Sequence, residues 1–132
     1  MITLDTSAIV ALALRDDPHH AEAVGALMAG RDPVVVPVAI LAEVDDGLRR
    51  RVGHPASAPL IEGIQRGDTF LDCGDRDLPR VLELILGYPE LSLPFARAAA
   101  AACAERNGGS LLTFDRRALG VLARQIPITL VP

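Results

Sequence analysis

Apolar residues come along this chain in short runs, separated by longer amphipathic stretches that start and stop on clear punctuation. Met1-Ile2-Thr3-Leu4 is apolar or β-branched and reads as a short buried strand. Asp5 follows it, then Thr6 or Ser7 as an N-cap, then Ala8-Ile9-Val10-Ala11-Leu12 as a helix. Asp17 is placed as the N-cap of a second helix with Pro18 in its first position. That helix covers 19–29, with Ala23, Val24 and Leu27 inward. After the turn Gly30-Arg31-Asp32-Pro33, Val34-Val35-Val36 is a second strand and Pro37 opens a third helix. Ile40, Leu41, Val44 and Leu48 share one side of it; Glu43, Asp46, Gly47 and Arg50 share the other. Arg49-Arg50-Arg51 in its last turn suit the helix dipole and also make a candidate RNA-backbone patch, and Gly53 stops it.

The second half repeats the alternation. His54-Pro55-Ala56-Ser57 opens a short helix to about Gln65, and Thr69-Phe70-Leu71 is a third strand. The stretch 75–87 reads as a helix with Leu78, Val81, Leu82, Ile85 and Leu86 inward, ended by Tyr88-Pro89. An alanine-built helix covers 94–106, where alanine favours helix and permits close approach to a sheet. Asn107-Gly108-Gly109 caps it, Ser110-Leu111-Leu112-Thr113-Phe114 is a fourth strand, and Asp115 stands at its end. A helix over 116–124 and a last strand over 126–131 follow, the latter edge-like because of Pro127. Short apolar strands between helices imply a parallel sheet covered on both faces, an α/β fold in one domain over 1–132. If the first strand is central, the first and fourth become neighbours with the topological switch between them. Asp5 and Asp115 then face each other across it, and Glu43 reaches the same crevice.

Composition narrows the class. Half of the 132 residues are hydrophobic, with mean hydropathy +0.31, yet no run approaches the ~18 apolar residues needed to span a bilayer. No basic leader or cleavage site precedes the first strand, so no signal peptide is expected and the cytoplasm is the expected compartment. All 13 basic residues are arginine, and the net charge of −4 neither makes nor excludes a nucleic-acid binder. Cys73 and Cys103 form no CxxC and read as reduced buried thiols. His19 and His20 lack a partner His or Cys, so exposed first-turn residues are favoured over metal ligands.

Three carboxylates at strand ends with no Cys/His set suit a hard cation, Mg²⁺ or Mn²⁺. Such a site supports metal-assisted hydrolysis of a phosphodiester without a protein nucleophile. The plainer alternative is that each acid caps a helix. Other phosphate chemistries fit less well. A phosphoaspartyl phosphatase wants an acid two residues after Asp5, where Ser7 stands; a receiver domain wants a lysine; and there is no GxxxxGK[ST] or GxGxxG loop.

Leu4-Asp5-Thr6-Ser7-Ala8, Leu41-Ala42-Glu43-Val44 and Leu112-Thr113-Phe114-Asp115, in this order and spacing, resemble the PIN-domain family and within it the VapC-type toxins. Asp16-Asp17-Pro18-His19-His20 and Arg49-Arg50-Arg51-Val52-Gly53 are similar to the same group. The resemblance spans the chain. It implies a three-layer α/β/α fold with a central parallel sheet of about five strands, Mg²⁺- or Mn²⁺-dependent RNA cleavage, a homodimer, and a small cognate antitoxin. Asp5, Glu43 and Asp115 would be the catalytic metal ligands, with Ser7 or Thr113 orienting Asp5 or a bound water. One departure stands out. The family carries a further Asp early in the penultimate helix, and the matching position is Arg97. Its guanidinium cannot deprotonate. Three fates are open to it: pairing with Asp5 or Asp115 in the metal's place, clamping an RNA phosphate, or reaching solvent and leaving a three-acid site. The sequence therefore implies either an endoribonuclease, impaired by Arg97, or a degenerate module that binds antitoxin or RNA without cutting.

Overall fold

Five short strands form one all-parallel sheet in the computed structural model, which describes residues 1–72 and 74–132. They are β1 (Ile2–Leu4), β2 (Val34–Pro37), β3 (Phe70–Asp72), β4 (Ser110–Leu112) and β5 (Thr129–Val131), in the order β3-β2-β1-β4-β5. Ile2 pairs with Val34 on one side and Ser110 on the other, which makes β1 the central strand. The chain steps from β1 through β2 to β3, then crosses back to β4 and on to β5. Right-handed crossovers put these two sets of connections on opposite faces of the sheet, giving the three layers expected. Among the described residues, no helix is long and apolar enough to cross a membrane.

The helices are α1 (Thr6–Ala13), α2 (His20–Gly30), α3 (Leu41–Val52), α4 (Ala58–Arg66), α5 (Leu78–Gly87), α6 (Phe95–Arg106) and α7 (Ala118–Leu122). On one face α1 packs against β1, α2 and α3. On the other, α6 lies over β1, β2 and β4 and carries α5 on its back. Residues 98–104 of α6 are all buried, because six alanines and Cys103 let its backbone sit close to sheet and helix alike.

Several local expectations change. Asp5, not Thr6 or Ser7, caps α1: its carboxylate accepts the Ala8 N–H at 2.9 Å. Asp17 receives the His19 N–H, but the regular helix begins only at His20, after a turn. Pro37 ends β2, and a single 3₁₀ turn over Val38–Ile40 separates it from α3. The inward face of α5 is narrower than its leucines suggest. Val81 and Leu84 are buried, whereas Leu78, Leu82 and Leu86 are exposed. The cause is that α5 rests on a helix rather than on the sheet, and one helix covers only a thin stripe of another. Arg80 reinforces that seam with a bidentate grip on Glu105 at 2.7 and 2.8 Å. Cys103 is disulfide-bonded rather than a free thiol, and Cys73 lies outside the described residues. Absence of a CxxC spacing says nothing about covalent partners brought together by the fold.

Candidate active site

The carboxyl ends of β1 and β4 carry the site. Asp5 leaves β1 and is 4% exposed. Its Oδ1 accepts from the Ser7 hydroxyl at 2.7 Å and the Ala8 N–H at 2.9 Å, and its Oδ2 accepts from the Thr113 hydroxyl. Thr113 Oγ1 in turn receives the Asp115 N–H at 3.0 Å, and Ser7 Oγ receives the Phe114 N–H at 2.9 Å. A hydroxyl has one proton to give. Both hydroxyls direct theirs to Asp5, so the 3.5 Å approach of Ser7 to Thr113 adds no further bond. The two hydroxyls thus hold both oxygens of Asp5 and lace the β1 and β4 ends together. Burial nevertheless raises the Asp5 carboxyl above its ordinary range; the Thr113, Ser7 and Ala8 hydrogen bonds and the nearby Arg97 charge only partly offset this.

Glu43 sits in the first turn of α3, exposed, and accepts a 2.6 Å hydrogen bond from Thr6 Oγ1. From sequence Thr6 was read only as a candidate N-cap, not as a partner of Glu43. Its position directly after the strand-end acid was the available signal. Asp115 lies past the end of β4, and its Oδ2 is ion-paired with Arg97 Nε. Arg97 belongs to the first turn of α6, where the helix dipole disfavours a cation, and Asp115 supplies the compensating charge.

These residues meet around Arg97. A void of about 10 Å³ is lined by Asp5, Thr6, Ser7, Glu43, Ala96 and Arg97. An open cavity of about 370 Å³ is lined by Glu90, Leu91, Pro94, Arg97, Asp115, Arg117 and Ala118. Asp5 and Glu43 therefore border one space and Asp115 the other, with Arg97 lining both. His20 takes no part, since its Nδ1 is 2.8 Å from the Ala11 carbonyl. A carbonyl only accepts, so that nitrogen carries the proton. His19 lies instead on Phe114, ring centroids 4.3 Å apart, a contact that sequence spacing gave no means of finding.

Residues 2–124 match the PIN domain, and the chain belongs to the PIN-domain family. Within that family its likeness is to the VapC-type toxins. It is 28% identical over 121 residues to ribonuclease VapC26 of Mycobacterium tuberculosis, covering 90% of each chain. In fold it is similar to the crystal structure of M. tuberculosis VapC20, a sarcin-ricin loop cleaving toxin. There the TM-score is 0.79 and the identity 23%, over 92% of this chain and 95% of that one. It is also similar to VapBC2 from Rickettsia felis bound to a DNA fragment from the promoter, with TM-score 0.68 and identity 16%, over 98% and 97% of the two chains.

PIN-domain ribonucleases generally depend on a divalent metal, so the donor set needs testing against one. The chemistry of three carboxylates suits a hard cation. The arrangement does not. Among the described residues, no group of three or more His, Cys, Asp or Glu side chains stands close enough together to hold a metal ion. Asp115 is engaged by Arg97, and Asp5 has donors on both oxygens. As arranged, these residues do not form a divalent-ion site.

Proposed function

We propose that this chain is a VapC-type toxin, an endoribonuclease hydrolysing RNA phosphodiesters, held at low activity by Arg97. Family membership and the ribonuclease relative support the RNA substrate. The Arg97–Asp115 ion pair beside Asp5 is the observation that carries the impairment. Asp5, Glu43 and Asp115 are the proposed catalytic residues and would hold the metal once Arg97 leaves Asp115, with Ser7 and Thr113 in support. Mg²⁺ or Mn²⁺ is the proposed cofactor, and Arg97 competes with it for Asp115. A small cognate antitoxin, a homodimer and a cytoplasmic location complete the reading by family.

The test is RNA cleavage by wild type, Arg97→Asp and Asp5→Asn, each with Mg²⁺ and with chelator. The expected result is slow cleavage by wild type, a steep rise for Arg97→Asp, and loss for Asp5→Asn. A second reading, a non-catalytic PIN module that binds antitoxin or RNA, is favoured by the absence, among the described residues, of a three-acid cluster. It predicts no cleavage by wild type under any condition. Wild-type cleavage abolished by Asp5→Asn refutes it.

A further inference from the structure

The Asp-Asp-Pro-His-His run is left without a role by the acidic crevice, yet the fold brings one of its histidines to the crevice rim. The His19 ring lies flat on Phe114, with centroids 4.3 Å apart and planes 14° apart. Phe114 sits between Thr113 and Asp115, and its N–H is anchored on Ser7 Oγ, the hydroxyl that also holds Asp5. The stack is therefore tied to the strand-end acids through two hydrogen bonds. Phe114 does not pack in the hydrophobic core. In a chain with only 3 Phe, 1 Tyr and no Trp, an aromatic ring held outside the core beside the site calls for a use.

The His19 side is also built. Its N–H donates to Asp17 Oδ1 at 2.9 Å, and Arg51 from the end of α3 holds Asp17 Oδ2 at 3.1 Å. Its carbonyl accepts the Ala23 N–H, and its ring stands 3.8 Å from the Glu22 carboxylate. With one ring face on Phe114, the His19 side chain is still 51% exposed, so the other face is open to solvent. A rigid flat ring with a free face, backed by a second ring, is what an unpaired base stacks on. Stacking needs no net positive charge, which suits a chain of net charge −4.

We propose that the His19–Phe114 stack is a platform for one unpaired nucleobase of an RNA lying across the acidic crevice. The proposal rests on the RNA reading above and adds which part of the RNA is gripped. It makes His19 a positioning residue for the strand, with Asp17 and Arg51 holding it in place. The site prefers single-stranded segments, because a paired base offers no free face.

The experiment measures binding of short single-stranded RNAs carrying 2-aminopurine at successive positions, in chelator so that nothing is cut. With wild type, fluorescence at one position should be quenched on binding. His19→Ala should abolish that quench and weaken binding about ten- to a hundred-fold. His19→Phe, which preserves a stacked ring, should retain both, and far-UV circular dichroism confirms that each variant is folded. Equal affinity of folded His19→Ala and wild type overturns the platform and leaves the RNA reading standing. Equal affinity for a blunt duplex also overturns it. No binding of any RNA by wild type overturns the RNA reading itself, and the platform with it.

Discussion

Replacing Arg97 by Asp reverses the charge at the centre of the crevice, and its effect is read without catalysis. A unit charge ~5 Å from a divalent ion, at an effective dielectric of ~20, interacts by about 7 kcal/mol. Exchanging repulsion for attraction doubles this to about 14 kcal/mol as an upper bound. Arg97 and Asp115 are 31% and 22% exposed, so solvent and side-chain relaxation absorb most of it. A surviving tenth, about 1.4 kcal/mol, is still tenfold in Kd. The same substitution removes an ion pair and sets two carboxylates side by side, a loss of about 1–3 kcal/mol when no metal is present. Thermal unfolding in chelator and in millimolar Mn²⁺ separates the two effects. Arg97→Asp should unfold below wild type in chelator. It should recover in Mn²⁺, by about 2.7 kcal/mol once the ion stands at a hundred times Kd. Wild type should show little dependence on Mn²⁺, and Arg97→Met should fall between. A wild type stabilised by Mn²⁺ as much as Arg97→Asp refutes the competition between Arg97 and the ion. So does an Arg97→Asp that gains nothing.

Three further outcomes follow from positions outside that competition. Because burial raises the Asp5 carboxyl above its ordinary value of 3.8, the native state holds that proton more tightly than the unfolded chain does, and the ionised form weakens folding as pH rises through the raised value. Asp5→Asn should therefore gain stability over wild type at neutral pH, with the gain vanishing as pH falls below about 3.8 in denaturant titrations; a gain independent of pH contradicts this. The Thr3 hydroxyl is fully buried in the central strand with no hydrogen-bond partner among the described residues, so Thr3→Val should stabilise by about 1 kcal/mol in chemical unfolding. Gly109 has φ +91°, and a Cβ there would stand 2.9 Å from the Pro127 carbonyl oxygen, so Gly109→Ala should lower stability by about 2 kcal/mol or more.

What the sequence made legible was whatever depends on local pattern. Short apolar runs marked all five strands, and the placing of β1 beside β4 followed from the doubly wound rule once the alternation was clear. What it hid depends on which surfaces meet. The leucines of α5 suit a broad buried face, and only the three-dimensional arrangement shows Val81 and Leu84 buried, and Ile85 partly so, where α5 rests on α6. Thr6 or Ser7 was expected to cap α1, with a cap as the plainer alternative to a site role for Asp5, and the Ala8 N–H on Asp5 Oδ1 decides for Asp5. At the crevice, the residue types were visible and the anomaly at Arg97 stood out, but the choice among its three fates required coordinates. The His19–Phe114 contact joins residues far apart in sequence, and no periodicity encodes it.

The network around Asp5 also divides the crevice into unequal halves. A carboxylate held at both oxygens by groups from α1 and from beyond β4 cannot swing out without unfastening a helix start and a strand junction together. Among the described residues, the Asp115 side chain has no such tether beyond Arg97, beside an open cavity. A ligand entering the crevice would thus meet an anvil on one side and a latch on the other, and any adjustment to its shape would fall to the latch.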